Sequence, residues 1–113
     1  MSFFTQQTQV IQIDDRNTIT VRKPTNAERN LILDAIMPVA SDENQVASKI
    51  MAMAPRMLIA SWNGPDFEGR PVTPKNVDAL PPAVIDATLP TLIPWVTEGL
   101  TPDLKKESGV ATN

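Results

Sequence analysis

Asp66 and Glu68 stand two residues apart in the loop sequence NGPDFEGRPV, and Asp78 follows them. Paired carboxylates at such spacing can exchange a proton or offer oxygen ligands to a hard cation. Two oxygen-bearing side chains fall well short of a calcium cage, so a solvated loop is the simpler reading. The rest of the chain adds little to an active site. It contains no histidine and no cysteine, which removes the commonest general base, thiolate chemistry, disulfides and cysteine-ligated zinc. No Ser or Thr stands in a nucleophile elbow or a Ser-x-x-Lys setting, and Gly64, Gly69, Gly99 and Gly109 form neither a phosphate loop nor a dinucleotide fingerprint. A hydrolase built on Asp66, Glu68 or Asp78 therefore has little to stand on, and no cofactor or metal is expected.

Surfaces that could bind another polypeptide are better represented. Met37, Met51, Met53 and Met57 are four of the five methionines. Flexible thioethers suit a surface that must accept another helix, and they equally suit ordinary core filling. Both readings stand at the level of sequence. Trp62 introduces a stiff, proline-rich segment, where its ring N–H needs a carbonyl partner, and packing of that loop is its expected role. Trp95 follows Pro94 and serves either as packing or as an interface anchor. The candidate partner-binding set is Ile50, Met51, Met53, Met57, Leu58, Trp62 and Trp95.

Charge narrows the choice of partner. Ten basic against thirteen acidic residues leave a net charge of −3, and no basic run is long enough to follow a phosphate backbone. Nucleic acid is not an expected partner. The start, MSFFTQQTQV, lacks the layout of a signal peptide, and the longest apolar tract, 50–60, is interrupted by Pro55 and Arg56. A soluble, intracellular chain without a membrane partner is expected.

The elements that must carry these residues read as mainly α with a small N-terminal β-hairpin (α+β). One domain is expected over 1–96, with about four helices, followed by a flexible tail over 97–113. The hairpin, 9–22, alternates apolar and polar residues. A three-residue loop, Asp15-Arg16-Asn17, would pair Ile13 with Ile19 and Ile11 with Val21, with Asn17 supplying a left-handed residue. A helix over 26–37 starts at a capping box, Thr25 and Glu28. Its apolar stripe is Ala27, Leu31, Ile32, Ala35 and Ile36. A second helix over 42–61, capped by Ser41, contains Pro55, which should kink it or restart it. Thr73 and Pro74 open a short helix over 74–80. The last helix, 82–95, should be kinked or broken after Leu89 by Pro90 and Pro94.

The succession of a short hairpin, VRKPTNAER, a helical middle, SWNGPDFEGRPVTPKNVDALPPAVID and a polar tail resembles the tail assembly chaperones of long-tailed bacteriophages. The resemblance covers roughly 10–93. It is sharpest at Trp62-Asn63, at Gly69-Arg70-Pro71-Val72-Thr73 and from Asn76 to Pro82, which look like that family's "W…G.PV…EN…LP" pattern. Pro90 and Pro94 depart from the uninterrupted final helix expected of the family. The resemblance implies a small, non-enzymatic helical protein that oligomerises and coats the phage tape measure protein in the host cytoplasm. Such a protein helps recruit the tail tube protein, often through a longer frameshifted form, and is not expected in the mature virion. The apolar arc between residues 50 and 60 would shield the helical stripes of the tape measure protein, and the segment from Trp62 to Pro82 would act as a clamp fixing the angle between two helical halves. The alternatives are a structural virion subunit, such as a tail adaptor or completion protein, and a small host-directed inhibitor.

Overall fold

The computed structural model describes Phe4 and residues 7–97. It is mainly helical, with a small three-stranded antiparallel sheet. The tail expected over 97–113 lies outside the described residues, apart from Thr97, which closes the last helix.

The first two strands, β1 (Thr8–Gln12) and β2 (Thr18–Arg22), form the expected hairpin in a different register. Ile11 pairs with Ile19 and Gln9 with Val21, so the connection is five residues, 13–17. Asp14 accounts for the longer loop. Its Oδ1 accepts hydrogen bonds from the backbone N–H groups of Arg16 and Asn17, both at 2.9 Å, while the Ile13 N–H donates to the Asn17 carbonyl. An aspartate that organises the turn with its side chain offers more hydrogen bonds than a tight loop would. Asn17 does not adopt positive φ. Because the register moves by two residues, Ile11 and Ile13 still face the core.

The first helix, α1 (Asn26–Ile36), begins at the capping box. The Glu28 N–H donates to Thr25 Oγ1, and the Thr25 N–H donates to Glu28 Oε1 at 2.9 Å. Its buried residues are Ile32 and Ile36, whereas Leu31, expected inside, is 57% exposed. The helix has rotated so that Leu33 and Arg29 take the flanks of the buried row, and Arg29 Nε donates to the Val96 carbonyl. A single 3₁₀ turn over Met37–Val39 follows.

The second helix, α2 (Glu43–Leu58), differs from expectation at both ends. Asp42 caps it rather than Ser41, since its carboxylate accepts from the N–H groups of Asn44 and Gln45 and from the Gln45 side chain. A carboxylate there also suits the helix dipole. The far end stops at Leu58, and the next residues form a strand, β3 (Ile59–Asn63), beside β2. Two apolar residues of β3, Ile59 and Trp62, are three apart and both face the core. A β-bulge between Thr20 and Val21 of the partner register makes this possible. The same spacing mimics a helical stripe, which is why helix was expected through residue 61. Pro55 neither ends nor restarts α2 and is buried.

After a 3₁₀ turn at Pro65–Phe67, the short helix α3 (Pro74–Asp78) is capped by Thr73 as expected. The last helix, α4 (Pro82–Thr97), runs unbroken through Pro90 and Pro94. Both prolines are exposed. The carbonyls of Asp86 and Pro90, which lose their helical donors, belong to exposed residues where water can serve them, and this removes much of the cost of an interior proline.

One core joins these pieces. Ile19 and Val21 of β2 meet Ile32 and Ile36 of α1, Ile50, Ala54 and Leu58 of α2, Val77 of α3, and Leu92 and Val96 of α4. Helix α2 is central and packs against α1, α3 and α4.

A candidate partner-binding groove on helix α2

The sequence places Ile50, Ala54 and Leu58 on one side of α2 and Met51, Ala52, Met53, Arg56 and Met57 around the remainder. Burial divides them. Ile50 is 1% exposed and Leu58 is fully buried, so both belong to the chain's own core and offer nothing to a partner. Their place in the candidate set is corrected accordingly: they support the surface from beneath. Met51 is 43% exposed, while Met53 and Met57 are half-buried at the margin of the core.

The exposed arc of α2 borders two apolar depressions. The larger, about 500 Å³, has Met51, Ala52 and Pro55 on one wall, with Val77 and Leu80 on the α3 side and Ile85 on α4. The smaller, about 250 Å³, is lined by Ala52, Met53, Arg56, Met57 and Pro74. Arg56 stands between them and makes a two-pronged ion pair with Asp78, its Nε donating to Oδ1 at 2.8 Å and its Nη2 to Oδ2. The guanidinium holds the Asp78 carboxyl below its usual range, and Asp78 raises Arg56. Both side chains are about half exposed, so water screens the pair and it can reopen at little cost. Asp86 adds a second carboxylate at the rim. Pro55 contributes in another way, because it has no N–H to give the Met51 carbonyl, which leaves that acceptor without its helical donor beside the groove.

The wall opposite α2 is braced by contacts of Trp62, Asn76 and the loop between them. Trp62 stacks on Phe67 with ring centroids 4.9 Å apart, and its Nε1–H donates to the Arg70 carbonyl at 2.7 Å. Asn76 Nδ2 donates to the Pro71 carbonyl, and the Asn76 N–H to Thr73 Oγ1. These contacts act as a frame: they hold the loop from Gly64 to Thr73 against β3, next to α3 and Leu80. Trp62 is a packing residue with a half-exposed edge over a separate depression of about 240 Å³ that shares Leu80. Trp95 is half-buried against the core and lines neither groove.

The carboxylates that opened the sequence reading are engaged in structure. Asp66 accepts from Asn17 Nδ2 at 2.7 Å, Glu68 pairs with Arg70, and Asp78 with Arg56. Among the described residues no cluster of three or more acidic, histidine or cysteine side chains could hold a metal ion, and no helix is long and apolar enough to cross a membrane.

Arg56, Leu80 and Ile85 were not singled out from sequence as site residues, and Asp78 was weighed only as a catalytic carboxylate. Asp78 and Leu80 stand within the segment from Asn76 to Pro82, but nothing in the sequence places them beside a helix twenty residues earlier. Compared with protein-family models, with curated proteins and with solved structures, the chain matches none.

Proposed function

We propose that this chain is a non-enzymatic tail assembly chaperone of a long-tailed bacteriophage, acting in the host cytoplasm on the tape measure protein. The observation that carries the reading is a juxtaposition. The segment from Asn76 to Pro82, on which the resemblance is sharpest, forms one wall of an apolar groove whose other wall is the methionine-bearing face of α2.

An amphipathic helix fits such a groove by laying its apolar stripe between two walls, and thioethers adapt to varied side chains along a long client. Asp78 and Asp86 at the rim favour a client with basic residues flanking that stripe. Ile50 and Leu58 hold α2 in place underneath. Recruitment of the tail tube protein through a longer frameshifted form, and assembly as a homo-oligomer, belong to the same proposal.

The test is co-expression with the phage's tape measure protein. The wild-type chain should copurify with it, and Met51→Glu, which sets a carboxylate in the groove, should reduce copurification at least about tenfold. Mass spectrometry of purified particles separates the structural-subunit alternative: recovery at stoichiometric copy number in finished virions sinks the chaperone reading.

A further inference from the structure

The sheet has two outer strands, and they are treated differently. On β3 the bulge interrupts the ladder, and the following chain is tied to the strand by the Trp62 stack and hydrogen bond. Strand β1 has no such device. Its sequence, TQVIQ, contains no charge and no proline, and its register with β2 is uninterrupted. Natural sheets usually blunt an edge with charge, proline or a bulge, so an edge lacking all three is fit to accept another strand.

The hydrogen-bond parity of β1 identifies which groups face outward. The Lys23 N–H donates to the Gln7 carbonyl and the Ile13 N–H to the Asn17 carbonyl, both in the register of the hairpin. Inward-bonded residues therefore alternate as Gln7, Gln9, Ile11 and Ile13. The backbone groups of Thr8, Val10 and Gln12 point away from β2. Among the described residues their only partner is a long 3.5 Å approach of the Gln9 side-chain amide to the Val10 carbonyl. Val10 is also 60% exposed, on the face of the sheet away from the core.

We propose that the β1 edge pairs with the β1 edge of a second copy, antiparallel and centred on Val10, so that the two sheets become one. The strand is self-complementary in that arrangement. Val10 meets Val10 as a hydrogen-bonded pair, Thr8 meets Gln12 of the second copy, and Gln9 meets Ile11. No charged residue of the strand faces a like charge across the axis, and a β-branched pair occupies the centre. A five-residue edge is a small interface, so the dimer is reversible and concentration-dependent.

The test uses two kinds of variant. Val10→Pro removes an outward N–H and leaves the hairpin ladder intact, because proline is tolerated where the N–H of an edge strand faces solvent. Sedimentation from about 1 μM to about 1 mM should show wild type rising from 12.4 kDa towards twice that mass. Val10→Pro should weaken association at least about tenfold with unchanged far-UV circular dichroism, and Val10→Lys should do the same should the proline variant misfold. The absence of cysteine from the chain permits a register test. Val10→Cys should cross-link to itself, since hydrogen-bonded antiparallel pairs have Cα atoms about 5.5 Å apart, within disulfide reach. Gln12→Cys should not cross-link alone, because its copies lie about 13 Å apart along the strands, but should do so when mixed with Thr8→Cys. A wild type that stays monomeric throughout, or Gln12→Cys linking to itself as readily as Val10→Cys, overturns the proposal.

Discussion

Asn17 is 3% exposed, yet every polar atom of its side chain has a partner. Its Nδ2 donates to Asp14 and to Asp66, and its Oδ1 accepts the Asp66 N–H, which fastens the hairpin loop to the turn after β3. The fit leaves no room at Gly64, where φ is +144° and an added Cβ would lie 2.1 Å from Asn17 Oδ1 and 2.6 Å from the Arg16 carbonyl. Gly64→Ala should therefore cost about 2–4 kcal/mol, combining strained backbone with displacement of a buried amide. Urea denaturation measures it, and a loss under about 1 kcal/mol would show that the clasp is unimportant.

Arg22 and Glu28 supply a second residue-scale prediction. The Arg22 guanidinium grips both Glu28 oxygens, at 2.7 and 2.6 Å, and reaches the Met57 carbonyl at the end of α2. Held first by Arg22 and then by the Thr25 N–H, the Glu28 carboxyl is lowered to about 2. A carboxyl depressed on folding stabilises the protein fully above its unfolded value, and the benefit is lost as pH falls through its folded value. The window here runs from about 4.5 down to about 2. The side chains are only 22% and 23% exposed, so the contribution at neutral pH is about 2–3 kcal/mol after some screening. Glu28→Gln should lower stability at pH 7 and flatten its fall between pH 4.5 and 2. An unchanged slope would mean that the pair does not govern acid sensitivity.

At the scale of elements, α4 shows how exposure decides what a proline costs. Pro90 and Pro94 both face solvent on a helix whose other side packs Leu92 and Val96 into the core. Pro90→Ala should restore a donor to the Asp86 carbonyl and raise stability by about 1–2 kcal/mol, less than the full propensity gap because alanine also loosens the unfolded chain. A thermal or urea midpoint below wild type would show that the proline is needed for the path of α4.

Local signals were legible in the sequence where their chemistry is local. The capping box at Thr25 and Glu28, the Thr73 cap with Pro74, and the Trp62 indole seeking a loop carbonyl are each set by neighbours within eight residues. What escaped depends on partners far along the chain. Strand β3 was hidden because the bulge gives Ile59 and Trp62 a helical spacing, and only β2 reveals it. The hairpin register turned on Asp14 and on a buried Asn17 whose second partner, Asp66, is forty-nine residues away. Leu31 looked like core because helix periodicity defines a stripe but not which edge of it meets the neighbouring helix. In the groove, the methionines were visible and their opposing wall was not. Arg56 and Asp78 come together only after the loop from Gly64 to Thr73 has folded.

For the whole molecule, the structure joins a braced frame to an exposed arc of apolar and thioether side chains, with no reactive ensemble of histidine or cysteine anywhere in the sequence. Met51 is the residue on which the proposed role bears most heavily, since it is exposed without supporting the core. Met51→Glu should leave thermal stability within about 0.5 kcal/mol of wild type, as surface substitutions do, while weakening client binding. A large loss of stability would instead make Met51 a core residue and remove the groove's central contact.

The most direct measurement places a photo-crosslinking residue in turn at Met51, Met53 and Met57, and at the exposed Leu31 of α1 as a control, during co-expression with the tape measure protein. Cross-links to that protein from the three α2 positions, and none from Leu31, are the expected result. No cross-link from any α2 position, or cross-links from Leu31 alone, would contradict the account.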